Sequence, residues 1–153
     1  MRYVILLSLF IFLLGCSQLD NSTKSIVTNS DTVESLHEQM VNVNQLMEEL
    51  DLLLIEFQKN DELPEAIEMM ETAKNEANKI LIVLKALQTE KNSVNELSAK
   101  YETALLQYAN GLQLQIDGLK NWDGNKTTEG FKQTELAKNK LKQHFEEFNS
   151  LFK

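Results

Sequence analysis

Residues 31–59, DTVESLHEQMVNVNQLMEELDLLLIEFQK, decide the fold, because their apolar side chains recur at alternating intervals of three and four. The recurring residues are Val33, Leu36, Met40, Val43, Met47, Leu50, Leu54 and Phe57. This spacing places them along one face of an α-helix. Leu46, Leu53 and Ile55 widen that face, which favours a helical bundle over a two-stranded coiled coil.

Three further stretches repeat this periodicity. We predict a helix over each of residues 62–91, 94–122 and 127–152. Pro64 suits the first turn of the second helix, where a backbone N–H has no partner within the helix. With four helices of about 26–30 residues and short connections, we predict an all-α fold. The predicted architecture is an antiparallel up-down-up-down four-helix bundle over residues 31–153.

Polar residues mark the predicted helix boundaries. Ser93 with Glu96 has the spacing of a capping box at the start of the third helix, and Asp31 begins the first helix in a similar way. Gly124, in the turn Asp123-Gly124-Asn125, is expected to take the left-handed conformation that ends a helix. In the fourth helix, Thr134 and Lys138 fill apolar seam positions less well.

The connection between helices 2 and 3 allows a second architecture. The three-and-four spacing continues through Leu87, Lys91 and Val94, and no Gly or Pro interrupts it. Helices 2 and 3 could therefore be fused into one long rod of about 60 residues, with the outer helices folded against its halves. The capping box and the polar residues 89–93 favour a turn, so the compact bundle is preferred.

Composition and charge exclude several classes of protein. The chain has only 5 Gly and 1 Pro, too few for the many turns of an all-β fold. Its 23 Asp and Glu against 15 Lys and Arg give a net charge of −8, which argues against nucleic acid as a partner. The single Cys excludes an internal disulfide and a multi-cysteine metal site.

Opposite charges are expected to meet between the first and last helices, which are neighbours in such a bundle. Residues 20–71 hold 13 acidic residues against 2 Lys. The fourth helix carries Lys126, Lys132, Lys138, Lys140 and Lys142. Surface ion pairs of this kind contribute only about 0–1 kcal/mol each, so the asymmetry indicates an adjacency and not a large stabilisation.

The first sixteen residues, MRYVILLSLFIFLLGC, have the pattern of an export signal. Arg2 supplies a positive charge, and residues 3–14 form an apolar run of twelve residues. A bilayer-spanning helix needs about 20 apolar residues, so the run matches the core of a signal peptide instead. It ends at Leu13-Leu14-Gly15-Cys16, where an aliphatic residue, a permissive position and a small residue precede the chain's only Cys.

This motif resembles the lipobox of bacterial lipoproteins, and the whole chain looks like the small all-helical lipoproteins of Gram-positive bacteria. The resemblance implies that residues 1–15 are a signal peptide, cleaved between Gly15 and Cys16. It also implies that the sulfur of Cys16 carries a diacylglyceryl lipid, with no other cofactor. Two acyl chains attach a protein stably, so the expected location is the outer face of the bacterial cell membrane.

The residues after the predicted lipid have the composition of a tether. Residues 17–30 contain eight Ser, Thr or Asn, and a flexible chain of that length reaches about 20 Å. We therefore divide the protein into a signal peptide (1–15), a lipidated Cys and flexible tether (16–30) and a helical domain (31–153). The mature chain would carry a net charge of −9, which an anionic lipid surface repels.

Candidate ligand and catalytic residues are few. His37 and His144 are the only histidines, and in an antiparallel pair of helices they fall at nearly one level. Two ligands rarely hold a metal ion, so we interpret them as partly exposed histidines at a helix edge and predict no metal site. The sequence contains no nucleophile, metalloprotease or phosphate-loop motif, so we expect no enzyme and no catalytic residues.

Small residues form the best internal candidate for a binding feature. Ala104, Gly111 and Gly118 recur every seven residues on the third helix, and each helical glycine costs about 1 kcal/mol. The stripe either allows close packing of a neighbouring helix, which we favour, or forms a shallow groove for a partner or an apolar ligand. The aromatic residues around Phe148 and Phe152 are expected to close the end of the bundle.

Three functions fit these features. The leading hypothesis is a non-catalytic, membrane-anchored module that binds another envelope protein or a peptide by helix-face contacts. The second is an immunity or exclusion lipoprotein that protects against a bacteriocin or phage. The third is a carrier of a small apolar ligand inside the bundle.

Overall fold

The computed structural model describes residues 29–60, 62–87 and 90–152, and this part of the chain is all-α, with four helices and no strand. The helices are α1 (Asn29–Asn60), α2 (Leu63–Ala86), α3 (Asn92–Lys120) and α4 (Gly124–Leu151). The predicted all-α fold with four helices is confirmed. The signal peptide, Cys16 and almost all of the tether lie outside the described residues.

Helices that follow one another in sequence pack together, and α1 also contacts α4. The relative directions of neighbouring helices follow from contacts between their side chains. Glu71 and Lys74 of α2 bond to Lys120 and Gln113 of α3, so residue numbers fall along one helix as they rise along the other. Such contacts define two ends of the bundle. The proximal end holds the starts of α1 and α3, and the distal end holds their last residues.

The buried core contains the positions that the periodicity of the first helix predicts. Leu36, Met40, Val43, Met47 and Leu50 are all buried. They pack with apolar residues of the other three helices into a single cluster. At about 25 cal/mol per Å² of apolar surface, this burial is the main stabilising contribution. Among the described residues, no helix is both long enough and apolar enough to cross a membrane.

Helices α2 and α3 are separate, so the fused-rod alternative is wrong. α2 ends at Ala86, and both Leu87 and Lys91 have extended backbone conformations. The turn at this point is as predicted, but the predicted capping box is not used. The helix begins at Asn92, one residue before Ser93, and no side chain caps it. α1 likewise begins at Asn29, ahead of the predicted first residue.

The turn between α3 and α4 differs from the prediction at one residue. Trp122, and not Gly124, adopts the left-handed conformation, with φ of 57°. The N–H of Asp123 donates to the carbonyl of Gly118 (2.8 Å), and the N–H of Trp122 donates to that of Leu119 (3.3 Å). These two bonds form a Schellman motif, which places the left-handed residue at Trp122. Gly124 instead begins α4.

Asp123 caps the start of α4. Its carboxylate accepts a hydrogen bond from the N–H of Lys126 (3.0 Å), which satisfies one of the helix's unpaired amide groups. At the start of α2, Pro64 stands in the first turn as predicted. The ends of these helices are therefore determined by single capping and proline residues, which the hydrophobic periodicity does not reveal.

Candidate functional site

The stripe of small residues on α3 is covered by α4. Ala104, Gly111 and Gly118 are all buried. A methyl group added at Gly111 would lie 2.8 Å from the side chain and backbone of Thr134, and one added at Gly118 would lie 2.5 Å from the backbone N of Thr127. The two helix backbones therefore approach each other directly along this stripe.

This contact corrects the groove interpretation of Ala104, Gly111 and Gly118. Because α4 of the same chain fills the space, the stripe leaves no groove there for a partner or an apolar ligand. Close packing, the other interpretation, matches the contacts. Gly130 on α4 completes the arrangement from the opposite side, since a methyl group there would lie 2.5 Å from the backbone N of Gln115.

The two histidines contact different partners at the proximal half of the bundle. The ring of His37 stacks on Phe145 and Phe148, with centroid distances of 5.8 and 5.5 Å. His144 lies beside Glu147, 3.4 Å from its carboxylate. The described residues hold no group of three or more His, Cys, Asp or Glu that could bind a metal ion.

The aromatic residues at the proximal end close the bundle only in part. Phe148 is buried, but Leu151 and Phe152 stay exposed. An open cavity of about 580 Å³ lies beside them, between Val33 of α1 and the end of α4. The predicted closure therefore applies to Phe148 and leaves the last turn of α4 at the surface.

A crevice opens between α1 and α4 in the distal half of the bundle. These two helices make the least extensive contact of the four neighbouring pairs. Leu50 and Leu54 form one wall of the crevice, Phe131 forms the other, and Tyr108 and Leu112 of α3 form its floor. Because α1 does not cover it, Phe131 remains 56% exposed. We call this feature the distal crevice.

The floor of the distal crevice contains a buried hydroxyl without a partner. The side chain of Tyr108 is only 1% exposed, and among the described residues its OH has no hydrogen-bond partner. Tyr101, one heptad earlier, instead donates its OH to the carbonyl of Met40 (3.3 Å). Burial, and then the nearby carboxylates of Asp51 and Glu135, raise the pKa of Tyr108 far above its ordinary value.

Lys138 spans the rim of the crevice. Its ammonium group binds the carboxylate of Asp51 on α1 (2.8 Å) and pairs with Glu135 on its own helix. Burial disfavours the charged form of Lys138, but the hydrogen bonds and charges of these two carboxylates outweigh it and raise its pKa. The predicted contact between the acidic first helix and the lysines of the fourth helix is confirmed by this ion pair.

Charge is unevenly distributed between the two halves of the bundle. Among the described residues, the distal half (45–60, 62–74 and 107–138) contains twelve acidic residues and six lysines. The proximal half (29–44, 75–87, 90–106 and 139–152) contains nine acidic residues and six lysines. The negative charge of the domain is thus concentrated at the distal half, where the crevice lies.

Exposed apolar side chains accompany the crevice. Leu52 and Ile55, which are close in sequence to the wall residue Leu54, are exposed. Trp122, in the turn at the distal end, is 86% exposed. Sequence periodicity did not identify the crevice. The available signal was Lys138, because a charged residue at a seam position indicates a face that α1 does not cover fully.

Comparison of the chain with models of protein families, with curated proteins and with solved structures finds no match. The function must therefore be inferred from the residues themselves.

Proposed function

We propose that this protein is a non-catalytic lipoprotein, anchored to the outer face of a bacterial cell membrane, that binds another envelope protein or a peptide. The observation that carries the anchor is the motif Leu13-Leu14-Gly15-Cys16 directly after an apolar run of twelve residues. In this proposal the chain is cleaved after Gly15, and the Cys16 sulfur carries a diacylglyceryl group. Two acyl chains then hold the protein at the membrane.

The difference between the two ends of the bundle supports an orientation with the proximal end next to the membrane. The tether would join the domain at Asn29, which begins α1 at the proximal end. Over the described residues, the proximal half carries a net charge of −3 and the distal half a net charge of −6. An anionic lipid surface repels the more acidic half more strongly, so the distal crevice would face away from the membrane.

The distal crevice supports the binding role. An apolar surface exposed between two helices is a common docking site for a partner helix or peptide. The half-exposed Phe131 and the incompletely covered Leu54 supply apolar area there. A recognition surface therefore has more support in this part of the molecule than a reaction centre.

The immunity or exclusion hypothesis is the second candidate, and the charge distribution favours it. An acidic, apolar surface held away from the membrane could intercept a cationic peptide before it reaches the lipid. Deleting the gene should then raise the sensitivity of the host to such a peptide, and unchanged sensitivity across a panel of cationic peptides would count against this role.

The carrier hypothesis has less support. The distal crevice itself encloses about 30 Å³, and the space between α1 and α2 encloses about 10 Å³. A single water molecule needs about 10–15 Å³ when measured this way. These spaces in the described part of the chain would have to expand considerably to admit an apolar ligand.

The anchor is tested by replacing the lipidated residue. We expect Cys16→Ser to abolish labelling by a fatty-acid probe and to remove the protein from the membrane fraction or leave it unprocessed. Gly15→Ala is the matched control, because it keeps a small residue at the cleavage site and should be labelled like the wild type. Equal labelling of Cys16→Ser and wild type would refute the proposed anchor.

The binding role is tested on intact cells with a photoreactive amino acid at position 131 or, as a control, at position 136. Phe131 and Leu136 are 56% and 57% exposed on the same helix, but only Phe131 lines the crevice. The proposal predicts a defined crosslinked species from position 131 and not from position 136. The same products from both positions would contradict a specific surface.

A further inference from the structure

The open cavity at the proximal end of the bundle lies where the chain enters the helical domain. We call it the proximal cavity, and its volume is about 580 Å³. One wall is the start of α1, since the lining residues 30, 33 and 37 are spaced along one helix face. The facing wall is the end of α4. The lining includes Ser30, Val33 and His37 of the first wall and Phe148, Asn149 and Phe152 of the second.

The lining of the proximal cavity combines apolar and polar groups. Phe152 is 36% exposed, and Val33 is half-buried. His37 is exposed, but stacking holds its ring against Phe148, with 5.5 Å between the ring centroids. The half-buried amide of Asn149 can both donate and accept hydrogen bonds. Apolar side chains beside such an amide suit an extended peptide segment, whose backbone N–H and C=O groups need partners.

The peptide segment nearest to the proximal cavity is the one that leads into α1. Residues 17–28 contain three apolar side chains, and two of them, Ile26 and Val27, precede the lining residue Ser30 by only four and three positions. Extended backbone spans up to about 3.5 Å per residue, so Ile26 can lie as far as about 14 Å from Ser30. A cavity of about 580 Å³ measures roughly 8 Å in each direction. Both side chains can therefore reach either wall.

Two general effects favour this segment over a separate molecule. An apolar residue just before a helix commonly packs back on the first turns of that helix. A segment joined to its site by a short connection also has an effective concentration in the millimolar range, against which a separate molecule must compete. Residues 25–28 carry no charged side chain, so their docking buries no ion of the segment.

From these observations we propose that the proximal cavity is the docking site for residues 25–28 of the same chain. Ile26 and Val27 pack on Val33 and Phe152, and the backbone of the segment bonds to the polar groups of the lining. The docking itself does not depend on the lipid anchor. Its consequence rests on the proposed function: the free tether shortens to residues 17–24, which reach about 16 Å, and the proximal end is held closer to the membrane.

The test is photochemical crosslinking within the full-length protein, purified from its host and reconstituted in lipid nanodiscs. A photoreactive amino acid replaces Val27 or, as a control, Leu19, the third apolar residue of the tether. Mass spectrometry of proteolytic fragments then maps each link. We expect position 27 to link to the end of α4 with a yield at least about tenfold higher than position 19, because the docked segment is held at one place.

Two variants of α4 locate the contact. Phe152→Ser should reduce the yield from position 27 at least about fivefold, because it removes apolar surface from the cavity. Leu136→Ser is the matched control, since Leu136 is 57% exposed on the same helix but does not line the cavity. It should change the yield less than about twofold. Circular dichroism of both variants checks that the helices are retained.

Each other outcome overturns the docking. No link from position 27 to α4, equal yields from positions 19 and 27, or equal effects of the two α4 variants would each do so. Links between isotopically labelled and unlabelled chains in a mixture would show that a second copy occupies the cavity, and links to nanodisc lipid would show that the membrane does. Cys16→Ser should give the wild-type link, so failure of the anchor and failure of the docking are separate results.

Discussion

Substituting alanine for glycine should have opposite effects at two positions of α4. Alanine normally stabilises a helix by about 1 kcal/mol relative to glycine. At Gly130 the added methyl group would lie 2.5 Å from the backbone N of Gln115 and 2.7 Å from the carbonyl O of Gly111. At Gly124 the same methyl group would meet no atom within 4 Å.

The magnitude follows from the spacing between α3 and α4. A Cβ atom in ordinary contact lies 3.4–4 Å from its neighbours, so Gly130→Ala must separate the two backbones by about 1 Å. Backbone atoms cannot rotate aside as a side chain can. Overpacking costs about 1–3 kcal/mol, and the upper value, less about 1 kcal/mol of helix propensity, leaves a net destabilisation of about 2 kcal/mol.

The assay is thermal and urea unfolding of the full chain in detergent, followed by circular dichroism. Gly130→Ala should lower Tm by about 8 °C, and Gly124→Ala should raise it by about 2 °C. Both variants should keep the helical content of the wild type at low temperature. If Gly130→Ala is as stable as the wild type, the close approach of α3 and α4 described above is incorrect.

Three further predictions concern single residues. Tyr108→Phe should raise the free energy of unfolding by about 1–2 kcal/mol, because it removes a buried hydroxyl without a partner; a destabilised variant in urea unfolding would indicate a partner for that hydroxyl. Burial raises the pKa of both Tyr101 and Tyr108, so above pH 10 only the unfolded chain releases these protons and stability should fall by about 2.7 kcal/mol per pH unit. Unfolding curves between pH 8 and about 11 test this, and a slope that Tyr108→Phe does not reduce by about half would contradict it. Trp122→Gly should stabilise the protein by about 1 kcal/mol, because glycine adopts the left-handed conformation without steric cost; a lower Tm would show that the exposed indole makes a stabilising contact.

The periodicity of apolar residues correctly predicted which face of a helix is buried. The three-and-four spacing from Val33 to Leu50 predicted one face of α1, and five of those positions are fully buried. The number of helices follows from the same kind of pattern, and the uneven distribution of charge predicted a contact between α1 and the lysines of α4, which the pair Asp51–Lys138 supplies. These features depend on many residues together, so single exceptions do not change them.

Features that depend on one or two residues were predicted less well. Gly124 was expected at the left-handed position, but the hydrogen bonds that close α3 place Trp122 there. The glycines of α3 indicated a close approach or a groove, and only the position of Gly130 on the opposing helix distinguishes the two. A sequence shows that the side chains on one face of a helix are small, but it does not show whether another helix covers that face.

The distal crevice was missed for a related reason. Phe131 has the spacing of a core residue, and the periodicity alone places it inside the bundle. In the structure α1 and α4 make the least extensive contact between neighbouring helices, which leaves that ring 56% exposed. Lys138 at a seam position was the sequence signal, since a lysine needs a partly open face or a carboxylate partner.

The central claim is that the protein is held at the membrane by a lipid on Cys16, and intact-mass spectrometry of protein isolated from its host membrane tests it most directly. We expect a chain that begins at Cys16, contains 138 of the 153 residues and carries the added mass of a diacylglyceryl group. A chain that retains residues 1–15, or one whose Cys16 carries no lipid, would contradict it.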